Sequence, residues 1–377
     1  MTPSQTKTAN KNHLVAVVVG ARPNFMKIAR LRKVVKQSGN FDLHIVHTGQ
    51  HFDEKMAKVF LEQFEIRPDA VLEARGSSAA LQIGNMILGL SKHFEEIQPD
   101  LVVAVGDVTS ALGAAISANK MGIHLAHLEA GLRSFDRSMP EENNRIIVDE
   151  LANFCFVTES SGEANLRKMG KDPDSVFFVG NTMIDTLIDM DKLIDQSSAV
   201  ADLNLPSEYA VVTAHRPALV DTQSGLSLLS DVLTMLSRYY RICFPVHPRT
   251  KKNLQHFGLL ESLEKENILL TEPLDYLAFQ RVVKTAKFVL TDSGGLQEEA
   301  AHRRQPCLTI RENTERPITV ELGTNTLVGF DLHQIEKEVK RIQSGNYKVG
   351  QDLPLWDGRA TERIVGIINK LIEKKLL

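Results

Sequence analysis

Twelve short apolar runs, separated by amphipathic stretches, limit this chain to one kind of architecture. The first series is LVAVVV (14–19), LHIVHT (43–48), LVVAVG (101–106), HLAHLE (124–129), FCFVT (154–158) and VFFVG (176–180). The second is YAVVTA (209–214), RICFPV (241–246), ILLTE (268–272), FVLTD (288–292), PCLTI (306–310) and NTLVG (325–329). Runs that are apolar throughout, rather than at alternate positions, belong to strands buried on both faces. Between them, residues 78–94, 108–121 and 226–239 repeat their apolar side chains at helical spacing. Strands alternating with helices give parallel sheets, and two series in 377 residues exceed one core. The expectation is α/β: two doubly wound Rossmann-like domains whose sheets face a central cleft.

Asp, Lys, Ser and Pro become frequent over residues 185–207, which is where a divide belongs. The expected division is a disordered leader at 1–12, a first domain from 13–183 plus 358–377, and a second from 184–357. The last amphipathic stretch, from Thr361 to about Leu376, is expected to cross back onto the first domain.

Composition narrows the function. A net charge of −3 argues against a non-specific nucleic-acid binder, which needs a concentrated basic face. The cluster Lys27, Arg30, Arg32, Lys33 and Lys36 alternates with Phe25, Ile28, Leu31, Val34 and Val35. Apart from Lys27 it reads as the wet side of an amphipathic helix. The run at Leu14–Val19 is far too short to cross a membrane, and no secretion signal precedes it. Cys155, Cys243 and Cys307 stand singly in apolar runs, as buried thiols in a reducing compartment do. A cytoplasmic protein without a membrane partner is expected.

Three segments carry chemistry. HLEAGLRSFDRSMPEENNR (127–145) places four carboxylates and three arginines after a buried strand. VVVGARPNFMK (17–27) and LTDSGGLQEEA (290–300) each run from strand through tight turn into helix, a geometry that aims backbone N–H groups at phosphate. Ser293, Gly294 and Gly295 would open that turn, and Glu299, one turn on, could accept two ribose hydroxyls. The plain alternative is a structural turn capped by Asp292. Asp107, Glu129 and Glu141 lie at or just beyond strand ends, the usual address for catalysis in this architecture, although Asp107 could simply cap a helix. His215 and His247 end strands of the second series. Arg22, Lys27, Arg145 and Arg316 would supply positive charge for a diphosphate. His124 and His127 point to opposite faces of one strand, one buried and one facing the cleft, so no metal site is expected there. No GxxxxGK[ST] or GxGxxG occurs.

The motifs GARPNFMK, HTGQHFDEKM, VGDVTSALGAA, HLEAGLRSFDRSMPEENNR, VGNTMIDTL, TAHRP, FPVHPRT, LTDSGGLQEEA and RENTERPITVELGTN follow in order. Over residues 13–375 the chain resembles the non-hydrolysing UDP-N-acetylglucosamine 2-epimerases. The resemblance implies a GT-B fold, a homodimer, a UDP-sugar substrate and no cofactor. It implies inversion at carbon 2 of UDP-N-acetylglucosamine by anti-elimination of UDP to 2-acetamidoglucal and re-addition, giving UDP-N-acetylmannosamine for polysaccharide synthesis. It implies Asp107, Glu129 and Glu141 as catalytic carboxylates and His215 at the leaving diphosphate. Arg22, Lys27, Ser293, Gly294, Gly295, Glu299 and Arg316 match positions that bind UDP and sugar, with Phe279 near the uracil.

Gln50, His51 and His247 match positions lining an activator pocket for a second UDP-sugar in many bacterial members. RGSSAALQ (75–82) and HPRT depart from those members, which puts that activation in doubt here. RSFDRSMPEE also resembles relatives acting on UDP-2,3-diacetamido uronic acids. A hydrolysing 2-epimerase shares the elimination step, though QHFDEKM and HPRT favour the non-hydrolysing form. A GT-B glycosyltransferase would share the UDP turn but has no use for three carboxylates around carbons 1 and 2.

Overall fold

The computed structural model describes residues 12–38, 40–49, 60–264 and 267–377. The leader expected at 1–12 falls almost wholly outside these residues, as do Gln50 and His51.

Thirteen strands occur among the described residues: β1 (His13–Val19), β2 (Phe41–His47), β3 (Ala70–Val71), β4 (Leu101–Val105), β5 (His124–Ala130), β6 (Phe154–Val157), β7 (Val176–Phe178), β8 (Tyr209–Thr213), β9 (Arg241–Pro245), β10 (Ile268–Thr271), β11 (Phe288–Thr291), β12 (Cys307–Thr309) and β13 (Asn325–Leu327). They form two sheets, in the orders β3-β2-β1-β4-β5-β6-β7 and β10-β9-β8-β11-β12-β13. Every pairing is parallel; Val17, for example, lies between Ile45 and Val103.

The apolar runs explain both layers. Val15, Val17 and Val19 enter one core while Ala16 and Val18 enter another, so the first sheet is buried on both faces. In the second sheet Ala210 and Val212 enter one core and Tyr209 and Val211 the other. No stretch of β1 or β8 can alternate polar and apolar, because neither face meets water.

The strand orders reverse at two places. Successive strands run outward from β1 through β2 to β3, and then β4 returns beside β1. In the second sheet β8, β9 and β10 run outward, and β11 returns beside β8. At such a reversal the helices leave on opposite faces and open a crevice beyond the strand ends. The loops at these two crevices are those after β1 and β4 and those after β8 and β11. They begin at Gly20, Gly106, Ala214 and Asp292.

The helix Ala360–Glu373 lies against the helix Leu31–Ser38, with Ile364, Val365, Ile368 and Leu371 in the same core as Leu31, Val34 and Val35. Asp185 fixes its start, accepting from the N–H groups of Ala360 (3.1 Å) and Thr361 (2.6 Å). Arg30 is not on the wet side of a helix but in the turn between the helices Arg22–Ile28 and Leu31–Ser38. It donates to the Gly358 carbonyl and to Glu362, beside this junction. Among the described residues, no helix is long and apolar enough to cross a membrane.

Candidate active site

The crevice of the first sheet is built from its turns. The N–H groups of Gly20 and Ala21 both donate to Asn24 Oδ1 at 3.1 Å, and Asn24 Nδ2 donates to the Val105 carbonyl at 3.0 Å. The end of β1 is thereby tied to the end of β4. Lys27, in the helix Arg22–Ile28, then reaches Glu129 and forms an ion pair with it. Gly106 has φ +67°, and a Cβ there would stand 3.0 Å from Lys27 Nζ and 3.1 Å from Glu129 Oε2. Glycine suits both the left-handed backbone there and the close approach of the pair.

Glu129 owes its position to an irregularity. Pairing between β5 and β6 passes from Leu128–Phe156 directly to Ala130–Val157, leaving Glu129 as an extra residue with φ +77°. A bulge of this kind re-aims one side chain, and left-handed backbone at a non-glycine residue is a strain seen at functional sites. Asp107 follows Gly106. It does not cap the next helix, whose N-cap is Val108 with no side-chain bond. Its carboxylate pairs with Arg145, and its carbonyl accepts from Asn144 Nδ2 at 2.8 Å. Burial alone would raise the Asp107 carboxyl, but Arg145, Lys27 and Arg316 together hold it well below the usual range.

The second sheet faces this group with a cationic turn. Asp292 accepts from the N–H groups of His215 and Arg216 at 2.7 Å and lies 2.9 Å from His215 Nδ1. It therefore orients the β8 loop instead of capping its own helix. The helix Gly294–His302 starts at Ser293 with no side-chain cap, so its first N–H groups remain available to a ligand. The Arg316 guanidinium lies about 3.5 Å from where a Gly294 Cβ would stand. It donates to Glu129 Oε1 at 2.8 Å and lies 3.1 Å from Glu298 Oε1. Glu315 is ringed by Arg311 (2.9 Å), Arg216 (3.4 Å), Arg145 (3.7 Å) and Arg316 (3.8 Å). Although burial opposes it, Arg316, Arg311 and Arg216 hold the Glu315 carboxyl far below its ordinary value. Glu299 has no such ring, and burial pushes its carboxyl up to about 7, leaving Oε1 without a hydrogen-bond partner.

Between the sheets lies a cavity of about 420 Å³. Lys27, Asp107 and Glu141 line it from the first side. His215, His247, Phe279, Ser293, Gly294, Gly295, Glu299 and Arg316 line it from the second. Glu129 lies just behind this wall, joined to Lys27 and Arg316. Arg145 is also behind it, engaged by Asp107, Glu142 and Glu315. Arg22 begins the first helix. His127 is fully buried, with Nδ1 2.6 Å from Asp149 and Nε2 2.8 Å from the Gly106 carbonyl. His124 does not face the cleft. It is exposed at the N-terminal end of β5, opposite the crevice, because residue parity fixes a face and not an end of the strand.

The sequence profile of the UDP-N-acetylglucosamine 2-epimerase family matches residues 33–369. The chain belongs to the UDP-N-acetylglucosamine 2-epimerase family. It is 36% identical to the UDP-N-acetylglucosamine 2-epimerase of Methanocaldococcus jannaschii over 362 residues, covering 94% of this chain and 98% of that one. The crystal structure of the M. jannaschii enzyme in complex with UDP-GlcNAc and UDP superimposes with a TM-score of 0.88, over 95% of this chain and 99% of that one. A UDP-2,3-diacetamido-2,3-dideoxy-D-glucuronate 2-epimerase of Pseudomonas aeruginosa is 31% identical over 368 residues, covering 95% and 99% of the two chains. The two Rossmann-like sheets across a cleft are thus the GT-B arrangement of the epimerase family.

Residue-by-residue reading of the epimerase motifs left out several groups of this cleft. Glu298 and Glu315 adjoin residues singled out in LQEEA and TERP, and Arg216 adjoins His215. Their neighbours alone could have drawn attention to them. Asn181, in VGNTMIDTL, carried no chemical signal of its own.

Proposed function

We propose that the chain inverts carbon 2 of UDP-N-acetylglucosamine, giving UDP-N-acetylmannosamine without hydrolysis. One observation carries this reading: Asp107, held ionised by its cations, and Glu141 line one wall of the cavity with Glu129 just behind it, and they face a helix N-terminus and Arg316 on the other. Such a pairing suits a reaction that removes a proton at one atom and releases a diphosphate at the next.

In this reading the diphosphate lies on Ser293, Gly294 and Gly295, where backbone N–H groups and the helix dipole favour negative charge. Arg316, Lys27 and His215 neutralise the charge that develops as it leaves, and Arg22 belongs to the same group. Glu299 accepts the ribose hydroxyls through its free Oε1, and Phe279 borders the uracil. A carboxylate among Asp107, Glu129 and Glu141 takes the carbon-2 proton. The C–H electron pair becomes the carbon 1–carbon 2 double bond, and the carbon 1–oxygen pair departs with UDP. Re-addition of UDP, with a proton delivered to the opposite face, completes inversion. Arg145 acts from behind by keeping Asp107 ionised. The reading includes residues 13–183 with 358–377 and 184–357 as the two domains, and a homodimer that sedimentation would detect.

The P. aeruginosa relative favours one second reading, with a UDP-diacetamido uronic acid as substrate. Incubation with UDP-N-acetylglucosamine in deuterium oxide, followed by proton NMR, tests the choice. Loss of the carbon-2 proton with appearance of the manno epimer supports the first reading. Accumulation of free UDP and N-acetylmannosamine would replace it with hydrolysis. An unchanged spectrum, with turnover of the uronate nucleotide, would establish the second.

A further inference from the structure

Arg316 is held closely by two carboxylates from different parts of the chain, with a third farther off. Nη2 donates to Glu129 from β5, and Nε lies 3.1 Å from Glu298 in the helix Gly294–His302. Nη1 has only the longer, 3.8 Å approach to Glu315 and lies about 3.5 Å from the Gly294 Cβ position. The guanidinium is planar, so fixing two of its edges fixes the direction of the third. The edge left over is the one beside the turn that opens with Ser293.

Glu298 is itself held. Its side chain is fully buried, and Oε1 accepts from Asn181 Nδ2 at 3.0 Å across 117 residues of sequence. The other end of the Asn181 amide is engaged too, since Oδ1 accepts from the Met183 N–H at 2.9 Å and caps the helix Thr182–Asp189. That helix is bonded to the first sheet's layer, Thr186 Oγ1 donating to the Met26 carbonyl at 2.6 Å. With both ends committed, Asn181 has one orientation, and so does the carboxylate it holds.

We infer that Asn181 and Glu298 are positioning residues for Arg316, setting its free edge against the Ser293–Gly295 turn so that the site selects a diphosphate. The inference rests on the proposed UDP-sugar reading of the cavity. Neither residue is assigned contact with the reacting atoms. Their effect passes through the guanidinium and therefore reaches the phosphates and not the nucleoside.

Inhibition constants of UDP and of uridine, measured by competition against epimerisation, separate this from a merely structural role. Glu298→Met should weaken UDP roughly 10- to 100-fold, the scale of a lost close, buried charge contact. Asn181→Ser keeps a capping oxygen but removes the donor, and should weaken UDP by about 5-fold or more. Uridine should stay within about 2-fold of the parent in both, and Glu298→Gln, which keeps an acceptor oxygen, should recover most of the UDP affinity. Equal weakening of UDP and uridine, or unchanged UDP binding in Asn181→Ser, would overturn the inference. A parent protein that neither binds UDP nor epimerises would instead remove the reading beneath it. If Glu298→Met does not fold, Asn181→Ser and Glu298→Gln still decide.

Discussion

Arg316 and Glu129 are joined by a 2.8 Å hydrogen bond although 187 residues separate them, one beside the second sheet and the other at the end of β5. Lys27 binds the same carboxylate from the other side. A buried charge with two opposite partners is stable only while all three are present, because removing one leaves the others unpaired in a low dielectric. Catalytic candidates and cleft architecture are therefore one network.

Glu129→Gln should accordingly do two things. Turnover should fall about 10²- to 10⁴-fold, the usual range for an acid–base group. Thermal unfolding should also show a loss of about 3 kcal/mol, because the buried Lys27 loses its carboxylate partner and Arg316 keeps only Glu298 and Glu315. Glu141 lies at the cavity wall with no ion pair among the described residues, so Glu141→Gln should lose comparable turnover with unfolding unchanged. Equal stability losses in the two variants would contradict this account.

Arg145 is the strongest of the cations holding Asp107 low. In Arg145→Met the burial that opposes ionisation gains ground, and the Asp107 carboxyl must rise. The acidic limb of the pH–rate profile should move to higher pH in that variant. The pairing also contributes stability that is present above the ordinary value of 3.8 and lost as pH falls through the lower folded value. A pH–rate profile that superimposes on the parent's would show that Asp107 does not need this partner.

Glu299 and Glu159 behave oppositely, because burial raises each from 4.5 to about 7. A raised carboxyl contributes stability that is complete below 4.5 and disappears as pH climbs to about 7. Ligand-free protein should therefore gain stability on acidification from about pH 7 towards 4.5, by up to about 3 kcal/mol per group. Glu299→Gln should flatten part of that slope. UDP affinity should move the other way, weakening below about pH 7 as Glu299 loses the charge that accepts ribose hydroxyls. Denaturant unfolding and UDP titration across this range check both slopes.

Gly180 has φ +89°, and a Cβ there would fall 2.0 Å from the Leu355 carbonyl oxygen. Gly180→Ala should cost more than about 1–2 kcal/mol from the backbone conformation alone, before the clash is counted. Because Asn181 is next in sequence, UDP binding should weaken with it. A variant as stable as the parent would mean that this segment can move aside.

Twelve of the strands were legible because a sheet covered on both faces demands continuous apolar runs, a signal that side chains carry locally. The two-residue strand Ala70–Val71 is too short to carry it. The turn at Ser293–Gly295 was legible for a similar local reason: glycines at a strand end need explaining. What could not be read was partnership. Asp292 looks like a helix cap until β8 is placed beside β11, whereupon its Oδ2 accepts from both the His215 and the Arg216 amides. Arg145 looks like a phosphate ligand until the helix Pro140–Leu151 is laid down, which turns it towards Asp107 and Glu142. Asn181 has no chemistry until Glu298 arrives from 117 residues away. Distances between elements depend on packing, and packing is a property of the whole chain.

The helix Ala360–Glu373 gives the first sheet its last apolar cover, through Ile364, Ile368 and Leu371. During synthesis the residues of that sheet leave the ribosome before those of the second sheet, and this cover leaves after both. The nascent chain must therefore carry an unfinished oily surface through the making of the entire second sheet. A pause or truncation before that helix would hand that surface to chaperones or to aggregation, although every catalytic candidate had already been made.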